Sequence, residues 1–87
     1  MRRHLDYRTE ELQRHRNSIV RQQEIVSGYS AIVATRPDLL EHIAYHRRMI
    51  EQAKQVVREA EANPRANIDA IVAKAQRDQI AILRKAK

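Results

Sequence analysis

With 87 residues, the chain is long enough for one small hydrophobic core and a single domain, residues 1–87. Hydrophobic residues make up 43% of it, yet Phe and Trp are absent, so the core must be built from Ile, Leu, Val and Ala, which suit the seams between long helices. The absence of cysteine excludes disulfides and thiolate metal sites, and no apolar run approaches the roughly 18 residues of a membrane span.

The net charge of +6 is concentrated at the two ends of the chain. Residues 1–36 contain seven basic and four acidic residues, and residues 64–87 contain six and two. The segment between them has four basic residues against five acidic ones. Basic ends favour anionic partners, either nucleic acid or acidic protein surfaces.

Two prolines divide the chain into three predicted helices, at about residues 3–35, 37–62 and 65–86. Pro37 suits the first turn of a helix, and Asp38 next to it suits the positive end of the helix dipole. Around the second proline, Asn63 or Asn67 is predicted to cap the last helix.

The first helix has a thin apolar line at heptad spacing, which is typical of a coiled-coil seam. This line consists of Leu5, Leu12, Ile19, Val26 and Val33. Gly28 could end this helix at Ser27, but helical spacing continues through it, which favours an unbroken helix. The segment Arg2–Glu24 has six arginines and few large apolar residues. We therefore expect its turns to overhang the hairpin and to be ordered by a second copy or another protein, while the second half of the helix packs on the other two.

The second helix is the best amphipathic element, because its apolar positions alternate steps of three and four. Its stripe consists of Leu39, Ile43, His46, Ile50, Ala53, Val57 and Ala60. The third helix combines an apolar side with a basic stripe at Lys74, Arg77 and Arg84. Together these patterns predict an all-α fold in which a helical hairpin of two long helices is joined by a third helix, a coiled-coil-like three-helix arrangement.

The histidines and serines are the natural candidates for metal binding or catalysis. His42 and His46 are four residues apart on the second helix and could share a metal, but no third ligand completes a zinc pattern. We interpret them as helix-face residues that make hydrogen bonds. Ser18, Ser27 and Ser30 all fall within the first helix, with no nucleophile elbow around them. The sequence therefore predicts no catalytic residue, no metal and no cofactor, and a protein that is not an enzyme.

What remains is binding, and amphipathic helices favour a protein partner or a homo-oligomer. We predict a protein–protein interaction module, acting as an assembly component, adaptor or inhibitor, that docks through its helical seams with arginines at the rim. The predicted docking residues are Leu5, Leu12, Ile19, Leu39, Ile43, His46, Ile50 and Val57. Neither a membrane nor a small-molecule substrate is predicted as a partner.

The alternative is a nucleic-acid-associated protein that binds the phosphate backbone without sequence specificity. Its predicted contacts are Arg2, Arg3, Lys74, Arg77, Arg84, Lys85 and Lys87. Small, basic, helix-only chains are frequent among phage and mobile-element accessory proteins, an association of composition alone. On these grounds the predicted location is the cytoplasm or a larger assembly such as a virion.

Overall fold

The chain folds into three α-helices joined by two short loops, as seen in a computed structural model. The structure describes residues 4–85, with side chains from Asp6 onward. The helices are α1 (His4–Ile32), α2 (Leu39–Ala62) and α3 (Ile68–Lys85). Over the described range there is no strand, so the predicted all-α three-helix arrangement is confirmed.

The first loop begins three residues earlier than predicted, because Thr35 and Arg36 fold back onto the end of α1. The backbone N–H groups of both residues donate to the carbonyl oxygen of Ile32, at 3.1 and 3.0 Å, and the Thr35 hydroxyl donates to the same oxygen at 3.0 Å. Asp38 accepts two hydrogen bonds from the Arg36 guanidinium, at 3.0 and 2.9 Å, and makes no side-chain cap. α2 therefore begins at Leu39, two residues later than predicted.

The second loop is closed by two asparagines with different roles. The backbone N–H and the side-chain amide of Asn63 both donate to the carbonyl oxygen of Glu59, at 3.0 and 3.1 Å, which ends α2. The side-chain oxygen of Asn67 accepts from the backbone N–H groups of Asp69 and Ala70, at 2.8 and 3.2 Å. Of the two predicted caps, Asn67 is therefore the one that starts α3, three residues later than predicted.

The hydrophobic core lies where all three helices meet, near the N-terminus of α1. Its buried residues are Leu12 of α1, Val56 and Ala60 of α2, and Ile68, Ile71 and Ala75 of α3. α1 and α2 form an antiparallel hairpin, and α3 runs back along α2 from this cluster. α1 meets α3 at few positions, among them the hydrogen bond from the Tyr7 hydroxyl to the Asp69 carboxylate, 2.6 Å long.

The predicted overhang of the first half of α1 is wrong over the described residues. The Arg8 guanidinium donates to the carbonyl oxygens of Ala60 and Asn63, the latter at 3.1 Å, where α2 ends. The Arg16 guanidinium contacts the Glu61 carboxylate at 2.9 Å. Arginines that looked too polar for an internal surface thus satisfy the end of α2, whose orphan carbonyls attract cations. It is also this first half of α1, not the second, that packs on both other helices.

A heptad line on α3 predicts two opposite outcomes for the same substitution. Ile68 and Ala75 are 0% exposed, but Ile82, seven residues further on the same face, is 58% exposed. We expect Ile68→Ala to lower the free energy of unfolding by about 2–5 kcal/mol, because it leaves a cavity in the core. Ile82→Ala should change it by less than about 0.5 kcal/mol. Urea unfolding followed by circular dichroism measures both changes. Equal losses of stability would contradict the observation that the core ends before Ile82.

Gly28 lies within a continuous α1, as the sequence predicts. Its φ is not positive, and a Cβ added there would meet nothing within 4 Å. We expect Gly28→Ala to stabilise the protein by about 0.5–1 kcal/mol, because alanine loses less backbone entropy in a helix. Thermal unfolding measures the change, and a destabilised variant would mean that the helix is not regular at this position.

Candidate protein-docking groove

Burial on α3 stops abruptly after its first half. Ala75 is fully buried, whereas every residue from Ile80 to Lys85 is exposed. Ile80, Ile82 and Leu83 are large apolar side chains that remain 51%, 58% and 39% exposed. A helix normally turns its apolar stripe toward a packing partner. On α3 the apolar stripe continues into the last turns, where the packing partner covers it less.

The facing part of α2 has the same character. Leu40 is 59% exposed and Tyr45 50% exposed, although both lie near the start of the most amphipathic helix of the hairpin. The reason is helix length, since α2 has 24 residues and α3 has 18, or about 36 and 27 Å. Because α3 starts beside the end of α2, its last turns do not cover the first turns of α2.

Two concave surfaces lie on either side of α3 where its end meets α2, with volumes of about 180 and 400 Å³. Both are lined by Arg48, Gln79 and Leu83, and together we call them the α2–α3 groove. Its apolar lining residues are Leu40, Ile43, Ala44, Tyr45, Met49, Ile80, Ile82 and Leu83. The larger surface contains Leu40 and Ile82, the smaller one contains Tyr45, Met49 and Ile80, and both are mostly apolar and open to solvent.

The charged side chains of the groove have a single sign. Arg47 and Arg48 line it, and none of its lining residues is acidic. The Arg48 guanidinium carbon lies 6.0 Å from the centre of the Tyr45 ring, at the outer limit of a cation–π contact. Arg84 and Lys85 occupy the last turn of α3 and are exposed. The groove therefore presents apolar surface under a positive potential.

A polar network fixes the position of α3 along α2 just before the groove opens. Gln55 of α2 is buried, and its amide nitrogen donates to the Asp78 carboxylate at 2.7 Å. Its amide oxygen accepts from Gln79 at 3.1 Å. Lys74 bridges the carboxylates of Glu59 and Asp78 at 2.7 and 3.1 Å. The hydrogen bonds from Lys74 and then from Gln55 lower the pKa of Asp78, and those to Glu59 and Asp78 raise the pKa of Lys74.

The structure places most of the predicted docking residues between its own helices. Leu12, Leu39, Ile43 and Ile50 are buried, while Ile19, His46 and Val57 are half-buried. The side chain of Leu5 lies outside the described residues. An amphipathic stripe looks the same in sequence whether it packs inside the chain or against a partner. A partner could reach most of this set only by opening the hairpin.

The predicted basic stripe of α3 is not uniform either. Lys74 is held by two carboxylates, as described above. Arg77, Arg84 and Lys85 are exposed. Arg2, Arg3 and Lys87 lie outside the described residues. Among Lys74, Arg77, Arg84 and Lys85, Lys74 is therefore the one whose ion pairs hold α3 against α2.

The histidine pair of α2 packs against aromatic rings. The Tyr29 ring lies 6.1 Å from that of His42 and 5.9 Å from that of His46, and Nδ1 of His46 is hydrogen-bonded to the Gln22 amide oxygen. Among the residues that the structure describes, no three His, Cys, Asp or Glu side chains lie close enough to hold a metal ion. The pair thus serves the α1–α2 interface.

Comparison with known protein families, with curated proteins and with solved structures finds no match for this chain. Within the described range, no helix is both long and apolar enough to cross a membrane. The groove residues Leu40, Tyr45 and Ile82 were not among the predicted docking residues. The one signal that could have found them is the length difference between the second and third helices.

The Asp78 network predicts acid sensitivity. Because the folded-state pKa of Asp78 is lowered, its contribution is present above the unfolded pKa of about 3.9 and is lost as the pH falls through the folded value. We expect Asp78→Asn to lower the urea midpoint at pH 7 and to lower it by less at about pH 2.5. Glu24→Gln, an exposed change on α1, is the control. An equal effect of Asp78→Asn at both pH values would contradict the role of its charge.

Proposed function

We propose that this protein is a non-enzymatic interaction module, an adaptor, assembly component or inhibitor, that binds a protein partner in the α2–α3 groove. The observation that supports this most is the heptad line of α3. Its first two members, Ile68 and Ala75, are fully buried, and its third, Ile82, is exposed and lines the groove together with Leu40. Contiguous exposed apolar surface is a mark of interaction sites.

The geometry suits insertion of a helix. Leu40 and Arg47 lie seven residues apart on one face of α2, a distance of about 10 Å along the helix axis, which matches two turns of a partner helix. Such a helix would complete the packing that α3 begins, in the way that amphipathic helices fill apolar grooves. Burial of apolar surface would supply the affinity, at about 25 cal/mol per Å². The neighbouring arginines would set orientation and association rate.

The groove is a poor site for a phosphate backbone. Polyanion binding depends on arrays of cations available to phosphates. The groove does present two cations, Arg47 and Arg48, but eight of its lining side chains are apolar and would have to pack against a hydrated phosphate backbone. Nucleic-acid binding through Arg77, Arg84 and Lys85 is therefore the second outcome that the experiment below distinguishes.

We expect helical peptides selected from a display library of unbiased charge to bind the protein through the groove. Ile82→Ser should weaken the binding of the selected peptides at least about tenfold, because a central apolar contact is lost. Fluorescence anisotropy of labelled peptides measures the affinity. Val20→Ser is the matched control, since Val20 is 56% exposed on α1 and lies outside the groove.

Two results would contradict the proposal. In the first, Ile82→Ser and Val20→Ser affect binding equally, which would place the docking surface elsewhere. In the second, the selection yields no binder, while the protein binds duplex or single-stranded DNA or RNA in a salt-sensitive way that Arg84→Ala weakens. That result would favour the nucleic-acid function.

A further inference from the structure

We infer that the partner of the α2–α3 groove is a carboxylate-rich amphipathic helix of a different protein, not a second copy of this chain. The inference rests on the proposed function and adds the chemistry of the partner. It is based on the charges around the groove and on the ion pairs seen elsewhere in this chain.

Some cations elsewhere on the surface are paired with carboxylates of the same chain. Arg36 pairs with Asp38, Arg16 with Glu61, and Lys74 with both Glu59 and Asp78, all at N–O distances between 2.7 and 3.1 Å. Each pair is exposed and contributes little energy, but it leaves the local surface close to neutral.

None of the residues that line the groove is acidic. Arg47 and Arg48 line it, and the structure pairs neither guanidinium with a carboxylate of the described residues. Arg84 and Lys85 add two further cations at the adjoining end of α3. Guanidinium groups bind carboxylates in a planar, two-bond geometry, and such bonds strengthen where neighbouring apolar surface excludes water. A partner that places Glu or Asp at the edges of its apolar stripe would satisfy both arginines.

A second copy fits the same surface poorly. In a two-fold symmetric dimer the same patch meets itself, so Arg47 and Arg48 of both copies would approach one another across an apolar interface. Like charges brought together at an interface repel each other and disfavour the pairing. An acidic helix makes the same apolar contacts and replaces this repulsion with attraction.

The test compares the charges of the peptides that different variants select from the unbiased library. The wild-type protein should enrich Glu and Asp beside an apolar i, i+3, i+4, i+7 pattern. The double variant Arg47→Glu, Arg48→Glu should bind those acidic peptides at least about tenfold more weakly at low salt and should instead enrich Lys and Arg. Arg58→Glu is the control, because Arg58 is exposed on α2 but lies outside the groove.

The outcomes separate the inference from the proposed function. If the selected peptides lose affinity with Ile82→Ser but show no preference for acidic residues, the groove binds helices and the charge inference is overturned. If sedimentation equilibrium finds a dimer of the wild-type protein that Ile82→Ser dissociates, the partner is a second copy and the inference is overturned. Circular dichroism checks the fold of each variant. If the double Glu variant is unfolded, the double variant Arg47→Gln, Arg48→Gln replaces it, and it should lose the preference for acidic peptides without reversing it.

Discussion

The architecture depends on one apolar cluster at which all three helices meet. Leu12 of α1 packs there with residues of α2 and α3, and Ala60 and Ala75 are both fully buried within it. Alanine at such positions lets helices approach closely, since there is no long side chain to separate them. Because the cluster lies at the start of α3, this helix is anchored at one end. Its distance from α1 and the exposure of its last turns follow from that single anchor point.

Apolar packing alone would not fix where α3 stops along α2. Its inward line repeats every seven residues at Ile68, Ala75 and Ile82, so a shifted helix would still present apolar side chains to α2. The buried Gln55 removes this freedom, because its amide needs hydrogen-bond partners and finds them in Asp78 and Gln79. The exposed ion pairs of Lys74 contribute little energy. In this arrangement the apolar cluster provides most of the stability and the amide network provides the register.

The sequence was sufficient to predict the three helices, but not which surface of each helix the other helices cover. Proline, asparagine and heptad signals predicted three helices within a few residues of their ends, with Asn63 or Asn67 as the cap of the last one. Asp38 was predicted to favour the positive end of the second helix, but its carboxylate binds Arg36, a contact between side chains that no propensity describes. Arg8 lies in the segment that was predicted to overhang, yet it donates to the end of α2 across 52 residues of chain.

The position of the groove was beyond sequence reasoning for a related reason. Ile43 belongs to the predicted stripe of α2 and is buried by its own chain, whereas Leu40 lies three residues away, outside that stripe, and is exposed. The sequence shows that Leu40 is apolar, but not whether α3 extends far enough to cover it. The distinction arises from the direction in which α3 leaves the second loop and from its shorter length, and both are properties of the assembled fold. Residues that look best for docking, such as Ile50, are for the same reason the ones that the fold uses internally.

The openness of the groove and the single anchor of α3 are two consequences of one arrangement. Beyond Gln79 every described side chain of α3 is exposed, so the last turns of this helix are held mainly by continuity with its anchored half. Segments with few buried contacts are those that open and adjust at least cost. A partner helix entering between α2 and the end of α3 would therefore find one rigid wall, α2 in its hairpin, and one adjustable wall. Such a pairing can fit partners of differing side-chain size while the arginines on the rigid wall keep their spacing, which places specificity in the charges and tolerance in the apolar surface.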